Sequence, residues 1–463
     1  MTEQLKLKLN DSKATRWGAL VIVAFTMMAA YYVNDVVAPL KTMLETDLAW
    51  SSTDFGFFTG GYSFLNVFFL MLIWGGLILD RFGIRFTGKL ATILMVGGTA
   101  LEYYAMTGLA GADATLFGIN EIFGYKTGVF VAFAGFSFLG VGAEVAGITV
   151  SKIIAKWFKG KELATAMGVQ VALARIGSQA GYAVAIPLAR AFGISTPVLL
   201  GLVLLLGGMI AFFIFAVMDK KLDKQMEAAA IAAGTEDEEE KFSFKDVKNI
   251  LVNPGFWLIA LLCVLFYSCV FPFQKFASEL MIIKYGINEN VAGTFAGLPA
   301  LGALILTPVF GGFIDKRGKS ASIMLLGSAM LICVHFIYAI PDINYWLVAI
   351  VLMIILGIAF SLVPSAMWPA VAKIFPVSQL GTAYALIFFI QNIGLWGIPT
   401  LIGWVLDAYC ISGKKPDGTN MYDYTVPMCI FTGIACLSLI VALLLKKADK
   451  KYGYKLEEPN IQK

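Results

Sequence analysis

Twelve apolar blocks, each long enough to cross a lipid bilayer, divide this chain of 463 residues and leave room for one broad architecture. The blocks run over 17–40, 54–79, 86–108, 128–157, 162–189 and 196–218, then 255–283, 290–313, 320–340, 344–373, 379–405 and 425–446. Only 14% of the residues are charged and 59% are hydrophobic, far from the roughly 25% charge of a soluble domain. The expected fold is therefore an all-α membrane protein of twelve transmembrane helices. The first block is too long for a signal peptide and has no convincing cleavage site, so it is expected to stay.

Charge sets the orientation. Of the 35 Lys and Arg, the outer loops hold Lys41, Lys126, Arg190, Lys284, Lys414 and Lys415, and the spans hold Arg175 and Lys275. The rest lie at or beyond the inner ends of the spans. That asymmetry predicts both termini on the cytosolic side. It divides the chain into a six-helix bundle (1–218), a cytosolic linker (219–250) carrying Glu236, Asp237, Glu238, Glu239 and Glu240, a second six-helix bundle (251–446) and a tail (447–463). The outer segments 109–127 and 406–424 are long enough for some structure of their own.

The two halves echo one another. Ala155, Lys156, Phe158, Leu163, Thr165, Ala166, Ile176 and Gly177 recur at a constant offset of 217 positions, ending at Ile393 and Gly394. Gly76, Asp80 and Gly83 recur as Gly311, Asp315 and Gly318. Duplicated halves that rock about a central site are a recurrent transporter design. The offset also maps Arg175 onto Asn392. One half keeps a permanent cation where the other has a neutral amide, so the charge serves something other than the scaffold.

The chain holds one histidine and six cysteines, with no Cys-x-x-Cys pair, zinc-protease motif or P-loop. Neither metal nor cofactor is expected, and no nucleophile–base set points to an enzyme. Cys410 and Cys429 flank an outer loop; free thiols are expected, since the other four cysteines sit inside apolar spans. His335 is read as packing, and the 18 methionines as gap-fillers.

The run Gly76-Leu77-Ile78-Leu79-Asp80-Arg81-Phe82-Gly83-Ile84-Arg85 resembles the signature loop of the major facilitator superfamily. Small residues there let helices approach closely, and Asp80, Arg81 and Arg85 can pair across helix ends. The resemblance implies that the loop locks the inner face. Two longer stretches are more specific. One joins Trp157-Phe158-Lys159-Gly160-Lys161-Glu162-Leu163 to Ala174-Arg175-Ile176-Gly177-Ser178. The other runs from Trp368-Pro369-Ala370-Val371-Ala372 through Gln379-Leu380-Gly381-Thr382-Ala383-Tyr384 to Gln391-Asn392-Ile393-Gly394-Leu395. Both are similar to the branch typified by major facilitator superfamily domain-containing protein 1, which includes lysosomal dipeptide transporters in animals. The short N-terminus has no obvious dileucine signal and the outer loops no glycosylation acceptor, so a bacterial cytoplasmic membrane is the expected location.

Asp35, Glu144, Arg175 and Lys275 lie inside spans. A lone charge at the bilayer centre costs roughly 2.5–3.5 kcal/mol on insertion scales, so each should face water or a partner. Glu144 and Arg175 are each about fifteen positions from the turn between their antiparallel helices, which sets both at roughly 20 Å depth. At matched depth they form either a permanent ion pair or the two ends of a substrate site. The resemblance implies contact with a peptide: Arg175 forking the carboxylate, Glu144 holding the ammonium. Asp35 and Lys275 suggest a gate salt bridge or a solvated cavity mouth. Trp368, Gln391, Asn392, Tyr31, Tyr62 and Asn66 are further cavity candidates, although ordinary packing is the commoner fate of a single aromatic residue.

The leading expectation is a monomeric secondary carrier of short peptides that alternates access, with or without protons, and contacts only solute and membrane lipids. An organic-anion carrier, with Arg175 as the anion site and Glu144 as its resting partner, is the alternative transport reading. A receptor or scaffold that no longer transports is the alternative of another class.

Overall fold

The computed structural model describes residues 8–111, 114–158, 161–233 and 244–459. The acidic run Glu236 to Glu240 lies outside them, as do Lys159 and Gly160 of the loop between the fourth and fifth spans.

The first half comprises α1 (Lys13–Val36), α2 (Lys41–Asp47), α3 (Ser52–Phe68), α4 (Met71–Thr107), α5 (Thr127–Trp157), α6 (Leu163–Phe192) and α7 (Thr196–Ala233). The second comprises α8 (Phe244–Val252), α9 (Pro254–Tyr285), α10 (Glu289–Ala296), α11 (Leu298–Arg317), α12 (Ser320–Ala339), α13 (Trp346–Ile374), α14 (Val377–Tyr409) and α15 (Thr425–Tyr452). Among the described residues nine helices are long and apolar enough to cross a membrane, or ten with one bent pair counted as a span. Three local features account for the distance from twelve. Leu70, in a left-handed conformation, breaks the second span between α3 and α4 with a 58° bend. Gly83, at φ 76°, turns the chain so that α4 holds the end of the second span and all of the third. The remaining helix, α6, is diluted by Gln170, Arg175, Ser178 and Gln179.

The sequence echo is also a structural one. Gly318 sits at φ 71° in the second half where Gly83 sits at φ 76° in the first. A side chain at Gly177 would meet the Met28 carbonyl of α1, and one at Gly394 would meet Ser268 of α9. The same small residue thus lets α6 lie on α1 and α14 lie on α9.

The first and last described segments lie on one face, Asn10 accepting from Lys161 beside α6 and Glu457 accepting from the Lys319 amide before α12. Two short hairpins, β1 (Glu121–Ile122) with β2 (Tyr125–Lys126) and β3 (Ile411–Lys414) with β4 (Asn420–Tyr422), occupy the other face. The halves meet toward this hairpin face through glycines spaced four apart. Gly56 and Gly60 of α3 leave room for the backbone of α14 at Pro399 and Trp396. Gly293 of α10 leaves room for the Tyr182 carbonyl of α6, and Gly297 beyond its end for the Gln179 side chain. Helices in lipid associate by this kind of close backbone packing.

Candidate functional site

A cavity of about 450 Å³ lies between the halves. Its walls come from α1, α3, α5 and α6 on one side and from α9, α11, α13 and α14 on the other. Helical periodicity explains its lining. Tyr267, Phe271 and Lys275 form an i, i+4 row on α9; Phe360, Pro364 and Trp368 form another on α13.

Arg175 and Glu144 both line this cavity. They do not form an ion pair, so the permanent strut considered from the sequence is corrected. The Glu144 carboxylate accepts a hydrogen bond from the Tyr62 hydroxyl at 3.2 Å. The Arg175 guanidinium lies over the Phe360 ring at 4.9 Å and the Tyr31 ring at 5.6 Å. It has no hydrogen-bonded or ionic partner among the described residues. Counting back from the turn fixed the depth of both residues but not their angular position, and the turn of each helix keeps their tips apart. The result is a cation on an aromatic seat and a separate carboxylate in one chamber.

Tyr31, Tyr62, Trp368, Gln391 and Asn392 line the cavity as the sequence suggested. The Trp368 indole stacks on Phe388 with ring centroids 4.7 Å apart and donates to the Tyr267 hydroxyl at 3.3 Å. Gln391 accepts from the Cys263 thiol, and Asn392 donates to the Phe388 carbonyl, leaving its own oxygen unpartnered. Asn66 is a correction: it is buried among helices and does not line the cavity. Tyr267, Phe271, Phe360 and Phe388 were missed. The i, i+4 rows running from Lys275 and Trp368 would have pointed to the first three.

The cavity is roofed toward the hairpin face. Lys275 donates to the Asn34 carbonyl at 2.6 Å and to the Asp35 carboxylate at 3.1 Å. That pair joins α1 to α9 as a salt bridge, one of the two arrangements the sequence left open for these residues. Above it lies a second cluster that the sequence reading did not single out. Lys41 of α2 bonds Glu45, four residues on, and Glu279 of α9. Tyr424 donates to Glu279, and Lys415 of the β3–β4 loop lies 3.6 Å from Glu45 and 3.7 Å from Glu279. Lys41 and Glu279 are almost fully buried. Asp407 of α14 also accepts from the backbone amides of Ser52 and Thr53, so an acid from the second half caps the first turn of α3.

The signature loop lies on the termini face. Asp80 pairs with Lys152 at 3.0 Å, and Arg85 pairs with Asp223 at 2.6 Å and Asp219 at 3.5 Å. Lys156 and Trp157 complete the set on Asp219. These contacts join α4, α5 and α7 within one half. Arg81 lies over the neighbouring Phe82 ring. Gly76 has open space around it, a further correction: the close approach belongs to Gly75, against Val145. Asp315 lies in the last turn of α11 in the second copy. His335 is buried, its Nε2 against the Cys269 carbonyl, and all six cysteines are free.

A chamber between two six-helix halves, sealed on one face and lined by opposite charges, defines a membrane transporter. The Major Facilitator Superfamily model matches residues 20–399 and 276–458, so the chain belongs to that superfamily. Among curated relatives, the lysosomal dipeptide transporter MFSD1 of Homo sapiens is 29% identical, covering 95% of this chain and 88% of the relative. That of Gallus gallus is 33% identical over 58% of this chain and 61% of the relative. Among solved structures, the peptide transporter POT in complex with sulfate has a TM-score of 0.68 at 15% identity, covering 95% of each chain. The D-xylose-proton symporter has a TM-score of 0.66 at 15% identity, covering 93% of this chain and 97% of its own. At those identities the likeness to solved structures concerns the fold.

Proposed function

We propose that this protein is a secondary transporter of dipeptides, working by alternating access. A dipeptide is a zwitterion, and the cavity offers one group for each end. Arg175 takes the carboxylate in a bidentate fork; Glu144, held by Tyr62, takes the ammonium. The observation that carries this reading is that Arg175 and Glu144 share one chamber without pairing, so each is free for a ligand of opposite charge. The curated relatives named as dipeptide transporters support it. The aromatic wall of Tyr267, Phe271, Phe360, Trp368 and Phe388 accommodates the side chains.

The organic-anion alternative needs Glu144 as the resting partner of Arg175, and that bond is absent. In this reading the termini face is cytosolic, on the distribution of Lys and Arg. The hairpin face opens when the Asp35–Lys275 contact and the Lys41–Glu279 cluster part.

Uptake into proteoliposomes tests the proposal. A labelled dipeptide accumulates, and its N-acetylated form does not compete. Equal competition by the acetylated form makes the protein an anion carrier, and no uptake of either compound leaves a receptor or scaffold.

A further inference from the structure

The two strand pairs on the hairpin face do different work. β3–β4 belongs to the seal: the Tyr422 hydroxyl donates to Asp407, its ring centre lies 4.8 Å from the Lys41 ammonium, and Lys415 faces Glu45 and Glu279. β1–β2 is pinned to the first half instead. Tyr125 stacks on Phe57 of α3 with ring centroids 3.9 Å apart, and the Lys126 ammonium donates to the Ala49 carbonyl. The Thr127 amide donates to the Asn120 carbonyl at 2.9 Å and its hydroxyl to the Ile119 carbonyl at 2.8 Å.

The pinned segment makes two tight turns in succession, and both put phenylalanine at the tip. Leu116 and Ile119 exchange backbone hydrogen bonds of 3.0 Å around Phe117-Gly118, and Ile122 pairs with Tyr125 around Phe123-Gly124. The central φ angles are 53° and 80° in the first turn, 52° and 81° in the second. Two central residues at positive φ make a type I′ turn, which selects Asn-Gly, Asp-Gly or Gly-Gly. The glycines answer that demand. A bulky residue in the left-handed region is an outlier. Twice the chain accepts this strain to set an aromatic ring at a tip, where Phe117 is 94% and Phe123 88% exposed. Rings so exposed bury almost nothing within the chain, so what offsets the strain lies outside it.

The adjoining surface says what that is. The Phe123 ring lies 5.9 Å from Phe130, at the hairpin-face end of α5. Phe130, Ala134 and Phe138 follow one another at i, i+4, i+8 along α5, with Phe138 exposed, and α4, packed against α5, exposes Leu101 and Tyr104. These are the sides that two membrane-spanning helices turn to lipid. Phe123 continues that strip past the end of its helix, to the level where aromatic rings sit between acyl chains and headgroups. Charge fits a zwitterionic surface: residues 114–127 hold one acid, Glu121, and one base, Lys126, whose ammonium is already committed. We propose that the loop between α4 and α5 is a lipid anchor, whose Phe117 and Phe123 rings enter the hairpin-side leaflet at the headgroup–acyl boundary and hold the first half at that depth.

Turn chemistry separates this role from ordinary packing. Asparagine suits both tips better than phenylalanine. Phe117→Asn combined with Phe123→Asn therefore relieves strain, keeps the fold and removes only the membrane contact.

The test uses the full chain, its native cysteines replaced, in phosphatidylcholine vesicles without substrate. A spin label at Glu121→Cys, between the two tips, reports depth by its collisions with oxygen, which dissolves in lipid, and with a nickel chelate, which stays in water. A label at Ser412→Cys, exposed on β3, is the water reference. The oxygen-to-nickel collision ratio is expected to be several-fold higher at 121 than at 412, and to fall to the 412 value in the double Asn variant. That variant is expected to melt in detergent no earlier than the parent. A label at 121 as open to nickel as the one at 412 overturns the proposal and turns the rings toward a protein partner. A double variant whose label keeps the parent depth overturns it too, as does one that melts several degrees lower, since the rings then belong to the fold.

Discussion

Lys41 of the first half and Glu279 of the second meet as an ion pair in which both side chains are buried. A contact of that kind is strong only while it is complete. Removing one partner leaves a buried charge unpaired, typically a loss of about 3–5 kcal/mol. Lys41→Met is therefore expected to lower the melting temperature and to raise labelling of the cavity from the hairpin face. Lys415→Met, which removes a more distant and more exposed partner, is expected to do less of both. Equal effects from the two variants, measured by melting and by labelling, would count against Lys41 as the centre of the cluster.

Arg175→Ala and Glu144→Gln are each expected to abolish stabilisation by a dipeptide while leaving a folded protein, read in a thermal-shift assay. Arg175→Lys keeps the charge and loses the fork. It is expected to weaken binding by about 1.5–3 kcal/mol, the worth of a hydrogen bond to a charged group. Unchanged shifts in the Ala and Gln variants would remove these residues from the site.

Tyr62→Phe deletes the hydroxyl that orients Glu144. The expected loss is about 1 kcal/mol of dipeptide affinity, close to a neutral hydrogen bond. The N-acetylated dipeptide gains nothing from Glu144, so its residual binding is expected to be the same in both forms. Titration calorimetry of the two ligands against the two proteins checks this.

Gly177→Ala tests how the scaffold aims Arg175. The added carbon meets the Met28 carbonyl, and overpacking of a close contact costs about 1–3 kcal/mol. The variant is expected to melt earlier and to bind dipeptide more weakly, because α6 is pushed off α1 two residues from Arg175. Gly76→Ala, in open space, is expected to change neither melting nor binding.

The spans were legible because lipid demands long apolar blocks, and the repeat was legible because Gly83 and Gly318 answer the same backbone demand. Arg175, Glu144 and Lys275 stood out because a charge inside an apolar block needs a reason. The same argument applied to Glu279, inside 255–283, and would have found it. The bend at Leu70 had no such signal, since neither glycine nor proline marks it. The partner of Glu144 was not legible either. Depth along a helix follows from counting residues, but whether two tips meet depends on rotation about the axis, which only packing against other helices fixes.

The roof cluster differs in one respect from the Asp35–Lys275 contact beneath it. Lys41 and Glu45 belong to the first half; Glu279 and Lys415 belong to the second. When the halves part there, each carries away a self-compensated couple, so the movement transfers no net electricity and membrane voltage has little hold on it. Parting Asp35 from Lys275 instead strands one negative and one positive group on opposite walls. Any voltage dependence of opening on the hairpin side should originate at that lower contact.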